Sequence, residues 1–208
     1  MAIDQAPRTR DAQRRRTRQA IVDATARLLR VDPAPTVDAV AAAAEVSRRT
    51  VYLHFPSLDQ LLLDAALGEL SAVPIEAAID AGLAGDDPFG GVAALIDGLY
   101  ALPPQAMRWG RMIVRLTLAP DAEGDAPRRG FRRIDWIERA CEPLRTALGP
   151  RRTADLVSAL AVVIGFEAMI VLHDLRGLDD EQACRITRTT ARALVDAALA
   201  DARRSRGE

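Results

Sequence analysis

The feature that most constrains the fold is a helix that can be only about two turns long. Ser47 is a favoured N-cap residue, and Pro56 disfavours helical backbone at Phe55, so the seven residues between Ser47 and Phe55 are predicted to form one short helix. Thr36 is a second candidate N-cap, for a short helix that ends at the turn Glu45-Val46. Two short helices joined by a tight turn predict a helix-turn-helix.

The remainder of the chain is also predicted to be helical. Apolar residues recur at spacings of three and four, and no segment alternates strictly, which predicts an all-α fold of about nine helices. Glycine- and proline-rich stretches such as "AGDDPFGG" and "APDAEGDAPRRG" separate the later helices. We therefore predict a helix-turn-helix domain over 1–56, a connecting helix over 57–74 that starts at an S-x-x-Q capping box, and a larger helical domain over 75–208.

The short helix after Ser47 has two different faces. Val51 and Phe55, with the edge of Tyr52, share the side that is predicted to pack. The opposite side carries four residues that are predicted to face outward: Arg49, Thr50, Leu53 and His54. Arginine can donate two hydrogen bonds to guanine, leucine can contact a thymine methyl group, and threonine, tyrosine and histidine can bind phosphate. The outward face therefore suits duplex DNA, although solvated surface arginines are the common alternative.

Charge is distributed unevenly along the chain. All 28 basic residues are arginine, and the net charge is −1. Residues 1–56 hold 10 arginines and 6 acidic residues, whereas residues 57–208 hold 18 arginines and 23 acidic residues. The positive balance of the first segment suggests that it binds anions. Arg14 and Arg16, in the basic run before the first apolar helix, are candidates for an arm that contacts DNA, and simple solvation is an equal alternative.

These motifs resemble the N-terminal domain of the tetracycline-repressor (TetR-like) family of bacterial transcriptional regulators. The resemblance covers residues of about 14–70 and rests on five short matches: Val40-Ala41, Val46-Ser47, Thr50-Val51-Tyr52, His54-Phe55 and Leu61-Leu62. It implies contacts from Thr36, Thr50, Tyr52 and His54 to the DNA backbone. It also implies that Arg48, Arg49 and Leu53 read bases.

The sequence departs from the family pattern at three positions. Glu45 replaces a usual turn glycine, Arg49 stands where glycine is frequent, and Leu58 stands where a lysine often contacts phosphate. The lost lysine and the added carboxylate predict a low affinity for nonspecific DNA and a strong dependence on arginine.

Residues 75–208 contain no recognisable catalytic motif. There is no phosphate loop, dinucleotide-binding glycine pattern, nucleophile elbow or zinc spacing, and His54 and His173 are the only histidines. We therefore predict no enzymatic activity, no metal and no cofactor. Cys141 and Cys184 are predicted to be reduced thiols, and the N-terminus lacks the apolar segment of a signal peptide, which together predict a cytoplasmic protein.

The family resemblance implies that this second part binds a small-molecule effector and forms a homodimer. Bulky or polarisable residues on apolar helices are the pocket candidates, each with ordinary core packing as its alternative: Trp109, Met112, Phe131, Trp136, Phe166, Glu167, Met169 and His173. Two apolar stripes are the candidate dimer seam, with the core of the monomer as the alternative: Leu160, Ile164, Ala168 and Val171, and Ala183, Ile186, Leu194 and Ala198. The apolar run Leu156–Leu172 is short for a membrane span and contains Glu167, so we predict no membrane association.

The combined prediction is a ligand-responsive transcriptional regulator, by default a repressor, that binds a near-palindromic operator as a dimer. The alternative is a helical ligand-binding or protein-interaction protein whose helix-turn-helix does not bind DNA. A third possibility, an all-helical enzyme, lacks any cluster of acid, base and nucleophile.

Overall fold

A computed structural model describes residues 6–71, 74–117 and 131–206, and it confirms the all-α prediction. The described residues form helices and no strand. The α-helices are α1 Ala6–Leu29, α2 Val37–Ala43, α3 Arg48–His54, α4 Leu58–Ser71, α5 Ile75–Leu83, α6 Gly90–Tyr100, α7 Gln105–Thr117, α8 Phe131–Ala140, α9 Arg145–Val163, α10 Phe166–Ile170 and α11 Asp180–Arg206. A 3₁₀ turn Glu142–Leu144 precedes α9, and a π-helical turn Val171–Leu175 follows α10.

The chain forms two compact units whose limits differ from the predicted domains. Among the described residues, the first unit contains 6–71 and 108–116, and the second contains 74–107 and 131–206 with residue 117. The predicted connecting helix therefore belongs to the first unit. Its apolar face packs along α1. Arg30, which directly follows α1, forms a two-pronged ion pair with Glu69 of α4, with N–O distances of 3.0–3.1 Å.

The core of the first unit contains residues from each of its first four helices. Ile21 of α1, Val40 of α2, Val51 of α3, Phe55 at the end of α3 and Leu61 of α4 are each at most 1% exposed. Because α2 and α3 are too short to be stable alone, this shared burial is what holds them in place. The packing leaves the opposite face of α3 in solvent.

The start of α4 follows the predicted capping pattern in part. Ser57 Oγ accepts a hydrogen bond from the backbone N–H of Gln60 at 3.1 Å, which is the first half of a capping box. The Gln60 side chain donates instead to Asp64 Oδ1 at 2.8 Å, so the bond back to Ser57 is replaced by one along the helix.

The second unit has a separate hydrophobic core around α6. One face of α6 is buried through Val92, Leu95 and Ile96, each 0% exposed, and α5, α8 and α11 pack against this helix. Both α8 and α11 also pack on α9, which closes the bundle. This core is large enough for the second unit to be a self-contained helical domain.

The helical region that carries the apolar run Leu156–Leu172 is interrupted. The region Glu142–Leu175 is long and apolar enough to cross a membrane by length and composition, and 28% of its apolar window is buried. Gly149 has φ 75° and Gly165 has φ 139°, values that α-helical residues do not adopt, so the helix is broken at both positions. Arg133 packs against Gly165, where an added Cβ would lie 2.8 Å from Arg133 Cδ. The breaks and Glu167 disfavour a membrane span.

Both cysteines are free thiols in the second unit. Cys141 is completely buried in the core, and this burial raises the pKa of its thiol to about 12. Cys184 on α11 is half-buried with its sulfur 3.6 Å from Asp97 Oδ1, and burial and the nearby carboxylate raise its pKa as well. Both thiols are therefore protonated at neutral pH.

Candidate nucleic-acid interface

The helix α2 begins and ends with specific backbone hydrogen bonds. Thr36 is its N-cap, as predicted, and its side chain accepts from the N–H of Ala39 at 3.2 Å. At the other end Glu45 N–H donates to the Ala42 carbonyl at 3.2 Å, and Val46 N–H donates to the Ala41 carbonyl at 2.9 Å. This bond pair is a Schellman motif, which sets the tight turn into α3.

Glu45 occupies the left-handed position of that motif. Its φ of 54° is the one positive φ among the described non-glycine residues. A side chain in this conformation crowds the following carbonyl, which explains why glycine suits such a position. The sequence alone identified Glu45 as a departure from the family pattern, and the structure shows that its backbone nevertheless follows the conformation that glycine favours.

We expect Glu45→Gly to raise the free energy of unfolding by about 0.5–1 kcal/mol. The left-handed conformation costs a non-glycine residue about 1–2 kcal/mol, and the extra freedom of glycine in the unfolded chain offsets part of the gain. Urea denaturation measures the change. The matched control is Ala44→Gly, one residue earlier with φ −94°, which should be destabilising. A lower midpoint for Glu45→Gly would contradict this account of the turn.

The helix α3 is positioned by a cap at its start and by core residues at its centre and end. Ser47 Oγ accepts from the Thr50 N–H at 3.1 Å and lies 2.8 Å from Thr50 Oγ1. Val51 and Phe55 are buried, as the helical wheel predicts. The cap and the two buried side chains fix both the start and the rotation of α3.

The outward face of α3 contains fewer fully exposed residues than predicted. Arg49 is exposed, and the exposed fraction of Leu53 is 70%, so both side chains are open to solvent. Thr50 and His54 are half-buried at the edges of the face. Tyr52, whose edge was predicted to share the packed side with Val51 and Phe55, is 48% exposed.

Arg48 makes an ion pair that the sequence analysis did not predict. Its Nε lies 3.2 Å from Oδ1 of Asp38, and its Nη1 lies 3.5 Å from Oδ2. Asp38 is the second residue of α2, so the pair joins the two helices across the turn. Among the described residues, no acidic side chain pairs with Arg49.

The basic start of α1 lies near His54. Arg14 and Arg16 are exposed in the described part of α1. Burial lowers the pKa of His54 below its ordinary value, and the positive charges of Arg14 and Arg18 lower it further. His54 is therefore neutral at pH 7 in the DNA-free protein, with one N–H to donate.

We expect DNA affinity to increase by about three-fold between pH 8 and pH 6, because a phosphate beside His54 would favour its protonated form. The lowered pKa of His54 also affects the folding stability of the DNA-free protein. The unfolded chain takes up the proton more readily than the folded chain, so the free energy of unfolding falls as pH drops through about 6.5. Fluorescence anisotropy with labelled duplex across this range measures the affinity. His54→Gln should flatten the profile, and an unchanged profile would remove His54 from the contact set.

The comparison with known protein families agrees with this geometry. Residues 21–71 match the model described as "Bacterial regulatory proteins, tetR family". Residues 21–71 therefore form a DNA-binding domain of the tetR-family type. The match extends from the middle of α1 to the end of α4 and so includes the entire helix-turn-helix. No curated protein matches the chain. The chain is thus a DNA-binding transcriptional regulator with an N-terminal helix-turn-helix and a helical C-terminal region.

The pocket candidates are divided between the two units. Trp109 and Met112 are buried in the first unit, and the side chain of Phe131 lies outside the described residues. Phe166 is half-buried and Met169 is 4% exposed, both in the second unit. The structure therefore does not bring the predicted set together within one unit.

The two polar pocket candidates, Glu167 and His173, have defined partners in the second unit. Glu167 forms an ion pair with Arg133. His173 Nδ1 lies 2.8 Å from the Leu178 carbonyl oxygen and so donates to it, while Nε2 lies 3.4 Å from Asp180 Oδ1. The ion pair with Arg133, which packs against Gly165, gives Glu167 a structural role. The hydrogen bond to the Leu178 carbonyl gives His173 a structural role. Trp136, whose Nε1 lies 3.3 Å from Glu76 Oε1, also has an external partner on α5.

A narrow crevice with no room for a water molecule lies beside Met169 in the second unit. Tyr100 and Thr187 form its polar edge with a hydrogen bond of 2.9 Å between their hydroxyl groups. Burial raises the pKa of Tyr100, so its hydroxyl stays protonated. Neither Tyr100 nor Thr187 could be recognised from the sequence, because a tyrosine at a helix end and a threonine among arginines carry no distinctive spacing.

The candidate dimer residues separate into core and surface. Leu160, Ile164 and Ala183 are at most 1% exposed within the monomer, so their assignment to a subunit seam is corrected: neighbouring helices of the same chain cover them. Val171 and Ile186 are 47% and 43% exposed. The other three are half-buried: Ala168, Leu194 and Ala198. Val162, which the sequence analysis missed, is 76% exposed on α9.

Proposed function

We propose that this regulator is a repressor that binds a near-palindromic operator as a homodimer and is released by a small molecule. The observation that supports DNA reading most strongly is the capped, core-anchored α3, which holds Arg49 and Leu53 outward beside Arg48. In this proposal α3 enters the major groove. Arg48, Arg49 and Leu53 contact base edges, while Thr36, Thr50, Tyr52 and His54 contact the backbone with Arg14 and Arg16.

Exposed apolar side chains of the second unit support dimerisation. Val162, Val171 and Ile186 are large apolar residues that remain 43–76% exposed, and most of the apolar window of Glu142–Leu175 is not buried within the chain. Burial of these exposed apolar side chains against a second copy would favour a two-fold dimer. Two recognition helices related by that axis would read half-sites about one DNA turn apart, roughly 34–36 Å.

The closed crevice beside Met169 is the proposed position of the effector site, which would open when the effector binds. It is lined mainly by apolar side chains, and the Tyr100 and Thr187 hydroxyl groups could be redirected toward a ligand. Effector and operator would oppose each other through a coupling free energy of about 1–3 kcal/mol, so operator DNA would weaken effector binding by the same factor. The regulator would work in the cytoplasm without a metal or cofactor, and as a regulator, not an enzyme.

Selection of bound duplexes from a random library tests the DNA-binding proposal. A two-fold symmetric motif is the expected result, and its half-site spacing would show the distance between the two recognition helices. Sedimentation of the protein with and without the selected duplex measures its oligomeric state against the chain mass of 22.5 kDa. An asymmetric motif bound by a single chain would contradict the dimeric operator.

One observation favours the alternative of a protein-interaction domain. Leu53 is 70% exposed at the centre of the outward face, and Arg48 is already paired with Asp38, so this surface is less basic than its sequence suggests. Salt dependence discriminates between the two functions. DNA affinity should decrease linearly on a plot of log affinity against log salt, with a slope near −0.9 for each phosphate contacted. If the random library yields no enriched duplex and DNA affinity shows no such salt slope, the protein-interaction alternative is favoured.

A further inference from the structure

The ion pair between Arg48 and Asp38 places a carboxylate beside a proposed base-reading side chain. Nη1 of Arg48 donates a long hydrogen bond of 3.5 Å to Oδ2 of Asp38, and Nε lies 3.2 Å from Oδ1 as an ion-pair contact. A guanine edge or a phosphate would also attract this guanidinium. Because Nη1 cannot serve both partners fully, contact with DNA through this nitrogen weakens the ion pair with Asp38.

We propose that Asp38 is a specificity-determining residue, which neutralises Arg48 in the free protein and makes its contact with DNA conditional on the sequence bound. The inference rests on the proposed role of Arg48 in base reading. On nonspecific DNA, Arg48 gains little by exchanging one carboxylate for a phosphate. On the operator, a correctly placed guanine supplies two aligned acceptors and repays the exchange.

The energetic scale of the pair suits such an exchange. The side chains of Arg48 and Asp38 are 60% and 65% exposed, so water and salt screen the attraction. Exposed ion pairs of this type change an equilibrium by about five-fold at most. The contact is therefore weak enough for the operator to displace, yet strong enough to reduce affinity for the far more numerous nonspecific sites.

Asp59 provides a matched control for removal of the Asp38 charge. Asp38 is the second residue of α2, which Thr36 caps, and Asp59 is the second residue of α4, which Ser57 caps. Both carboxylates are exposed in the same unit, and both stabilise a helix N-terminus. No described arginine pairs with Asp59. Asp38→Asn and Asp59→Asn therefore remove the same charge from equivalent helix positions, and only the first releases Arg48.

The experiment measures binding of the full-length protein to the selected operator and to a scrambled duplex at several salt concentrations. We expect Asp38→Asn to raise affinity for the scrambled duplex by about three- to five-fold more than Asp59→Asn does. The salt slope on that duplex should steepen by about 0.9 for the phosphate contact that Arg48 gains. Operator affinity should rise less, so the ratio of operator to scrambled affinity should fall. Asp38→Ala, which also removes the neutral acceptor, should act in the same direction.

A double-mutant cycle separates release of Arg48 from a general loss of negative charge. In an Arg48→Ala background, Asp38→Asn and Asp59→Asn should have equal effects on DNA affinity, and urea unfolding checks that each variant is folded. Equal effects in the wild-type background, or an Asp38→Asn gain that persists without Arg48, would overturn this inference alone. Failure of the wild-type protein to bind any duplex at low salt would overturn the proposed function and this inference together.

Discussion

Arg49→Ala should lower operator affinity by at least ten-fold, the largest DNA-binding effect expected from a single substitution in this protein. Arg49 is the second residue of α3 and is exposed, and no described acidic side chain competes for it. It can therefore present its guanidinium to a guanine without first breaking an ion pair. Loss of a two-pronged contact costs about 1–3 kcal/mol, and a dimer would lose the contact in both half-sites.

Fluorescence anisotropy with the selected operator and a scrambled duplex measures this effect. Arg49→Lys keeps the charge but loses the planar fork, so it should recover nonspecific affinity without operator affinity. Arg27→Ala, at an exposed position in the last turn of α1, controls for the loss of one positive charge. If Arg49→Ala weakened both duplexes equally, Arg49 would be a phosphate contact. Unchanged operator binding would remove it from the base-reading set.

Phe55→Ala should lower the free energy of unfolding of the first unit by about 3–5 kcal/mol. Phe55 is 1% exposed in a core shared by α1 to α4, and the Arg18 guanidinium carbon lies 4.5 Å from its ring centroid. Removal of the ring leaves a cavity where α3 ends. A typical domain has only about 5–15 kcal/mol of stability in total, so much of the helix-turn-helix would unfold at moderate temperature.

Thermal unfolding followed by circular dichroism measures this loss. Tyr52→Ala is the matched control, because it removes a ring of similar size from the same helix at a position that is 48% exposed. Its stability change should stay below about 1 kcal/mol. Similar melting curves for the two variants would contradict the assignment of Phe55 as the core anchor of α3.

The local features of the helix-turn-helix could be predicted because they depend on near neighbours in the chain. Thr36 and Ser47 accept hydrogen bonds three residues ahead, so their capping roles can be read from the sequence. Burial of Val51 and Phe55 follows from helical periodicity once the limits of α3 are known. Identification of α3 as a candidate recognition helix required only these observations.

Features that depend on distant neighbours were not predictable in this way. An apolar stripe shows that a helix face will be covered but not by which helix, so Leu160 and Ile164 were assigned to a subunit seam although their own chain buries them. The pairing of Arg48 with Asp38 similarly required the angle between two helices. Half-burial of Thr50 and His54 depends on the same packing and could not be derived from a helical wheel.

The state of the two thiols has a consequence for the search for an effector. Thiolates, not thiols, react with electrophiles and oxidants, and both cysteines are held in the protonated form. Cys141 is in addition shielded from any reagent by the core around it. Sensing of oxidative or electrophilic stress through cysteine is thus poorly supported by this chain. Screening should begin with molecules that bind reversibly, and their release should restore the original state without a reductant.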